Sequence, residues 1–239
     1  MPTTMVLVHG AFAESSSWND VALRLIDEGN PVIAFANPLR SIAGDAALLT
    51  ELVRAIKGPV VLAGHSYGGA VMTNVPADAG DIVGLVYVAA FALEAGESAG
   101  EASSLVPGGT LAETLEPVPL AGRGVDLYIA QEKYHQQFCA DLPEVQARLQ
   151  AVTQRPIAEA ALSEASGDDP LWRKVPSWFI FGDQDRNIPV GAHRIMAQRA
   201  QARRTVEIVG ASHVVGVSHP SETSELILEA AHSRGGVPS

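Results

Sequence analysis

Pro59 to Thr73, PVVLAGHSYGGAVMT, is the stretch that most restricts what this chain can become. Val60, Val61, Leu62 and Ala63 form a short, β-branched apolar run between Pro59 and Gly64, the pattern of a strand buried on both faces. Gly64, His65, Ser66, Tyr67 and Gly68 then spell G-x-S-x-G, and Gly69, Ala70, Val71 and Met72 resume with helical patterning. A sharp strand-to-helix turn of this kind holds its serine in a strained backbone conformation. The residues two before and two after the serine must lack side chains so that strand and helix can cross. The first N–H groups and the positive dipole end of the following helix favour negative charge on the serine oxygen. Ser66 is therefore the candidate nucleophile.

Around this stretch, short apolar runs alternate with amphipathic segments. Met5 to Val8, Pro31 to Ala36, Ile82 to Ala89, Trp178 to Phe181 and Thr205 to Val209 read as further strands. Trp18 to Glu28 presents Trp18, Val21, Ala22, Leu25 and Ile26 on one helical face, and Asp45 to Ile56 does the same with Leu48, Leu49, Leu52, Val53 and Ile56. Helices are also predicted near Ala192 to Ala202 and over Ser221 to His232, where Pro220 favours a helix start. Nearly continuous apolar strands alternating with helices predict an α/β architecture, a mostly parallel sheet of about six strands covered on both faces. With 239 residues, 47% of them hydrophobic and 18% charged, the chain suits one sizeable core, so residues 1–239 are read as a single domain.

The alternation fails from about residue 93 to 175. Helical pieces at Val125 to Phe138 and Pro143 to Val152, anchored by Leu127, Tyr128, Tyr134, Phe138, Leu142 and Leu149, predict an inserted helical cap over the sheet edge where active sites lie. Gly235 to Ser239 is expected to fray.

A formal net charge of −11 disfavours nucleic acid and anionic membranes as partners, because either would repel such a surface. Cys139 is the only cysteine, which rules out an intrachain disulfide and a cysteine metal cluster. Met1 to Gly10 lacks the basic start of a signal peptide, and no run approaches the ~18 apolar residues that would span a bilayer. These features are read as a cytoplasmic location, with a homodimer left open.

Serine alone is a poor nucleophile and needs a base and an orienting carboxylate. Asp185 follows the strand at Trp178 to Phe181, with Asp183 as fallback, and His213 follows the strand at Thr205 to Val209. His219, before Pro220, is the rival base and is expected at the surface, while His65 is expected to point away from Ser66. His9 and His135 are read as structural or exposed. The order serine, aspartate, histidine is that of a triad built on a parallel sheet. Two N–H donors must face the reacting carbonyl oxygen: that of Tyr67, after the nucleophile, and that of Ala11 in the turn after the first strand, with Phe12 second.

LVHGAFAESSSW, AGHSYGG, VYVAAF, FGDQDRNIP and VGASHVV resemble, in this order, the five landmarks of the α/β-hydrolase superfamily. They resemble in particular its small capped branch of plant methyl esterases, hydroxynitrile lyases and bacterial esterase relatives. The lyases carry threonine beside the oxyanion turn and lysine after the histidine; here Ala11 and Val214 stand there, which disfavours lyase chemistry. Ser66 argues against the dehalogenases and epoxide hydrolases, which use aspartate, and Tyr67 against cofactor-free haloperoxidases, which tend to carry methionine.

The resemblance implies a serine hydrolase of carboxylic esters working through an acyl-enzyme, with no metal or organic cofactor. Lactone hydrolysis, acyl transfer and perhydrolysis on the same triad, or a ligand receptor without turnover, remain alternatives. A mainly apolar pocket is expected from Phe12, Phe91, Leu93, Tyr128, Phe138 and Val214, suited to a small-molecule ester with a short or aromatic acyl group, or to a lactone.

Overall fold

Six of the apolar runs form one wholly parallel sheet in the computed structural model, which describes Met1–Ser233. The chain runs β1 (Thr4–Val8), α1 (Asn19–Asp27), β2 (Val32–Phe35), α2 (Ile42–Ala55), β3 (Pro59–His65), α3 (Tyr67–Thr73) and β4 (Asp81–Val88). An insertion follows, with α4 (Ala99–Ser103), β5 (Leu115–Leu120), β6 (Gly124–Ile129), α5 (Gln131–Phe138), α6 (Glu144–Thr153), β7 (Ile157–Ala158) and α7 (Glu159–Ser163). The chain then returns to the sheet with β8 (Ser177–Gly182), α8 (Val190–Arg199), β9 (Arg204–Ile208), α9 (Val215–Ser218) and α10 (Pro220–His232). The expectation of fraying at Gly235 to Ser239 lies outside the described residues.

The strand order is β2-β1-β3-β4-β8-β9. β1 is buried along its whole length and pairs on both sides, Val6 facing Ile33 on β2 and Leu62 on β3. α10 packs across β3, β4 and β8 and against α1, while α3 packs on β1 and β3 and against α2. Pro220 opens α10, where its fixed φ suits the first turn and its missing N–H costs nothing. No helix among the described residues is long and apolar enough to cross a membrane.

From β1 the chain steps outward to β2, then crosses back to lay β3 on the other side of β1. Such a reversal opens a crevice at the C-terminal ends of the two strands, the place where open α/β sheets bind ligands. The crossing is close. A Cβ on Gly68 would lie 2.2 Å from the Val8 carbonyl oxygen, so the start of α3 can seat over the end of β1 only because that residue is glycine.

The insertion departs from the helical expectation. Val125 to Ile129 belongs to β6, the middle strand of a small antiparallel sheet ordered β5-β6-β7, and helix begins only at Gln131. Gly122 and Gly124, at φ of 70° and 85°, make the tight return between β5 and β6. Pro117 and Pro119 confine β5 to the edge, since neither can donate to a second neighbour. Of the expected anchors, Leu127, Tyr134, Phe138 and Leu142 are buried, Tyr128 is half-buried and Leu149 is 62% exposed. The insertion is tied to the sheet domain by Ala158 N–H to Leu39 O (3.0 Å), the Arg40–Asp126 ion pair (2.6 Å), and Glu164, which accepts the N–H groups of Ile42 and Ala43 (2.6 and 3.0 Å).

His9 is structural, as expected. It is fully buried and joins the ends of β1 and β2: its Nε2 accepts the Asn37 N–H (3.0 Å), its Nδ1 donates to Gly10 O (2.9 Å), and its own carbonyl accepts the Asn37 side-chain amide (3.0 Å). A proton on Nε2 would oppose the Asn37 N–H. Burial is the largest cause holding the imidazole below its ordinary 6.5, at about 4. The unfolded chain binds this proton near pH 6.5 and the folded chain only near 4, so the contribution is complete above 6.5 and lost as pH falls toward 4. Urea unfolding should therefore lose up to roughly 3 kcal/mol across that window from this residue. His9→Gln should show a shallower decline, and equal slopes for the two proteins would assign the loss to other groups.

Candidate active site

Ser66 stands between β3 and α3 with φ 51° and ψ −122°, a conformation rare for any residue with a side chain. Such strain costs on the order of 1–3 kcal/mol and persists only where neighbours over-determine it. Here the Ser66 N–H donates to Val88 O (3.3 Å), and the Ser66 carbonyl accepts from Gly69 N–H (3.0 Å) and Phe91 N–H (3.2 Å). The end of β4 thus grips both sides of the turn, and Ser66 is left 7% exposed.

The turn after β1 lies beside it. The Phe12 N–H donates to Arg155 O of the insertion (3.0 Å), so the fallback oxyanion donor is already engaged. The Phe12 carbonyl accepts the Tyr134 hydroxyl (2.7 Å), and Phe12 itself has a positive φ of 59°. The N–H groups of Ala11 and Tyr67 have no partner among the described residues. The Tyr67 side chain is turned into the core, donating to Asp45 Oδ2 (3.1 Å), and burial pushes its hydroxyl well above the ordinary tyrosine value.

Asp185 and His213 meet in the core. A Cβ on Gly182, at the end of β8, would lie 2.1 Å from Ala211 O, and that close approach brings the loops after β8 and β9 together. His213 Nδ1 donates to Asp185 Oδ2 at 2.7 Å, with both side chains fully buried. Asp185 Oδ1 accepts the N–H groups of Asn187 (2.8 Å) and Ile188 (2.9 Å). His193 on α8, which the sequence reading did not single out, donates Nε2–H to the same Oδ2 at 3.0 Å and stacks on Phe181 with ring centroids 4.8 Å apart. Burial by itself would raise the Asp185 carboxyl, but the charge and hydrogen bonds of His213 and His193 outweigh it and hold the group well below the usual carboxylate range. Burial lowers His193, so it sits there as a neutral donor.

With Nδ1–H given to Asp185, His213 Nε2 carries the lone pair. That atom is buried and has no hydrogen-bond partner among the described residues, so the Ser66 hydroxyl does not bond to it in this structure. His65 lies against His213: the rings are 4.9 Å apart and His65 Nε2 donates to the His213 carbonyl (3.1 Å). Burial, then the neighbouring His213, lowers the His65 imidazole to about 3. Asp183 instead accepts the Gly210 N–H (2.7 Å), and His219 is half-buried with Nδ1 on the Ser218 hydroxyl (2.9 Å); neither reaches His213 or Asp185 in this way. His135 is half-buried on Leu142 O (2.9 Å).

A cavity of about 60 Å³ opens at Ser66, walled by Ala11, Phe12, Tyr67, Phe91, Leu111 and Ile188 among others. Phe12 and Phe91 are where the sequence reading put them. Phe138 and Val214 instead line a second small space of about 20 Å³ with His65, and Phe138 sets its ring against His213 at 5.1 Å. Leu93 is wholly buried and its carbonyl accepts the Trp172 indole N–H, so it packs in the core and does not line the cavity. Tyr128 is also away from the cavity, because Val125 to Ile129 is a strand paired with β5 and not one turn of a helix shared with Phe138. The walls that the sequence did not point to are Ala99, Gly100 and Ser103 of α4, Leu111, Leu162 of α7, Asn187 and Ile188.

Three solved structures show how widely this architecture is shared. Polyneuridine aldehyde esterase superimposes with a TM-score of 0.78 at 20% identity, over 96% of this chain and 99% of that one. An extracellular alpha/beta-hydrolase from a Paenibacillus species, described as sharing structural and functional homology with tobacco salicylic acid binding protein 2, gives 0.75 at 20% identity over 97% and 100%. A pyrethroid hydrolase from Sphingobium faniae JZ-2 gives 0.75 at 18% identity over 97% and 98%. At such identities the likeness is one of fold. No curated protein sequence matches the chain. Residues 5–226, however, match the alpha/beta hydrolase family, and with nearly the whole length matched this chain belongs to that family.

Proposed function

We propose that this protein is a serine esterase that cleaves carboxylic esters of small molecules through an acyl-enzyme. The observation that carries the reading is the buried Asp185–His213 pair, which fixes the imidazole so that its unpaired nitrogen is the basic one, on the sheet edge that also carries the strained Ser66. The names of the structural neighbours, an esterase and a hydrolase of pyrethroids, agree in kind.

In this mechanism the ester carbonyl enters the 60 Å³ cavity and His213 Nε2 removes the Ser66 proton as the oxygen attacks the acyl carbon. The serine-to-imidazole hydrogen bond is the one relay contact left for the substrate complex to close, as is common in unliganded sites. Negative charge developing on the carbonyl oxygen is met by the Ala11 and Tyr67 N–H groups, held in place before reaction. Asp185 stabilises the imidazolium, which then protonates the departing alcohol. A water activated by the same nitrogen releases the acid. The insertion acts as a cap, with Phe138 excluding water from the edge of His213.

Ser66→Ala should lower hydrolysis of para-nitrophenyl acetate by roughly a thousandfold or more, with the fold retained by circular dichroism. Turnover at the parental rate would remove Ser66 from the reaction. A phosphonylating reagent should add one mass increment to the parental protein, mapped to Ser66 by peptide sequencing; an unlabelled but folded protein would favour a receptor.

His193 is a positioning residue in this scheme, since its hydrogen bond goes to the carboxylate and not to the reacting atoms. His193→Phe should reduce kcat about tenfold with KM little changed, a loss typical of one hydrogen bond to a charged group. His193→Gln, which can still donate, should recover part of it, and a loss confined to thermal stability would leave His193 a packing residue only.

A further inference from the structure

Two polar side chains with no role in the relay line the cavity at Ser66, and one of them, Ser103, already donates its hydroxyl to Gly100 O (2.8 Å). Asn187 is 4% exposed, lines this cavity, and lies two residues beyond Asp185. Its amide orientation is fixed by a chain of bonds that begins on an atom of unambiguous role. The Arg186 carbonyl can only accept, so the end of Gln137 that contacts it at 3.1 Å must be the NH₂. The Gln137 oxygen then accepts the Thr110 hydroxyl (2.8 Å), and the second Gln137 hydrogen goes to Asn187 at 2.7 Å. The Asn187 atom receiving it must be Oδ1. The Asn187 Nδ2 is left with both hydrogens and no partner among the described residues.

Ala11, Phe12, Phe91, Leu111, Leu162 and Ile188 make most of this wall apolar, and an unpaired amide donor on a residue of so small a space discriminates between ligands. A water-sized object needs roughly 10–15 Å³ of such volume, so a cavity of about 60 Å³ takes about four non-hydrogen atoms. Between the two chemical steps the acyl group stays on Ser66 while the alcohol leaves. The acyl carbon therefore stays bonded to Ser66 in the space that holds both oxyanion donors, and the start of the acyl chain lies against the walls of that space. A methylene placed beside the Nδ2–H group strips its water and returns nothing, whereas an oxygen placed there replaces the lost bond.

We propose that Asn187 is a specificity-determining residue that selects esters whose short acyl chain carries a hydrogen-bond acceptor, an ether, keto or hydroxyl oxygen, over alkanoyl esters of the same length. This inference rests on the esterase reading and narrows its substrate class. Gln137, on the cap helix α5, holds the Asn187 oxygen and so leaves the amide NH₂ as the end free to meet a ligand.

The test uses an isosteric pair, para-nitrophenyl methoxyacetate and para-nitrophenyl butanoate, which differ by one oxygen in place of a methylene. Because the ether also activates the carbonyl electronically, the quantity read is the ratio of kcat/KM values for the pair, compared between proteins. Asn187→Leu removes the donor, and Asn187→Asp keeps the oxygen that meets Gln137 while turning an acceptor toward the substrate. Both should lower the parental ratio by about three- to tenfold, the worth of one neutral hydrogen bond, whatever happens to absolute rates. Unchanged ratios in active variants would overturn the role of Asn187 and leave the esterase reading standing. Absence of hydrolysis of both esters by the parental protein would remove the two together.

Discussion

The structure depends on how closely the backbone at the start of α3 passes the end of β1. With Gly68 set against the Val8 carbonyl, the serine turn has one seat, directly above the crevice created where the strand order reverses. The strained φ of Ser66 follows from that seat, since a relaxed turn would lift α3 away from the sheet. The same proximity places the Ala11 and Tyr67 N–H groups on adjoining loops. A glycine required for its size thus determines the position of Ser66 and the spacing of the two N–H groups beside it.

Electrostatic order at the site comes from a single buried carboxylate. Asp185 receives two backbone N–H groups of its own loop, one histidine from α8 and another from the loop after β9. Removing an ionised group from water is expensive, and it is tolerated here because every lone-pair direction is met by a donor. Exposed pairs such as Arg194–Glu207 lie outside this balance and contribute little beyond solubility. Neutral His193 and neutral His65 flank His213 from opposite partners, one through the carboxylate and the other through the His213 carbonyl, so the ring between them has little freedom to turn.

Much of this was readable from the amino-acid order. Strands buried on both faces announce themselves as unbroken apolar runs, which is why Val60 to Ala63 and Ile82 to Ala89 were placed within a few residues of their ends. Asp185 and His213 stand out in the sequence because each follows such a run, and the structure pairs them. The insertion resisted because Val125, Tyr128 and Ile129 fit helical spacing as well as Val125, Leu127 and Ile129 fit alternation. Pairing with the proline-bearing β5 decided the matter, and that is a tertiary fact. His193 was missed for a related reason: within α8 it looks like any helical polar residue, and only the return of the chain to Asp185 gives it a partner. The Asn187 amide is likewise defined by Gln137, fifty positions away.

The backbone of Phe12 is bonded at both ends to the insertion, its N–H to Arg155 and its carbonyl to Tyr134. The turn after β1 is consequently a shared part, supplied by one half of the molecule and aligned by the other. The insertion is for this reason a poor candidate for exchange as a module: a transplanted segment would have to reproduce two main-chain anchors as well as a new pocket wall. Divergence among proteins of this architecture should accordingly proceed by changing side chains on the wall while the two anchor points stay fixed.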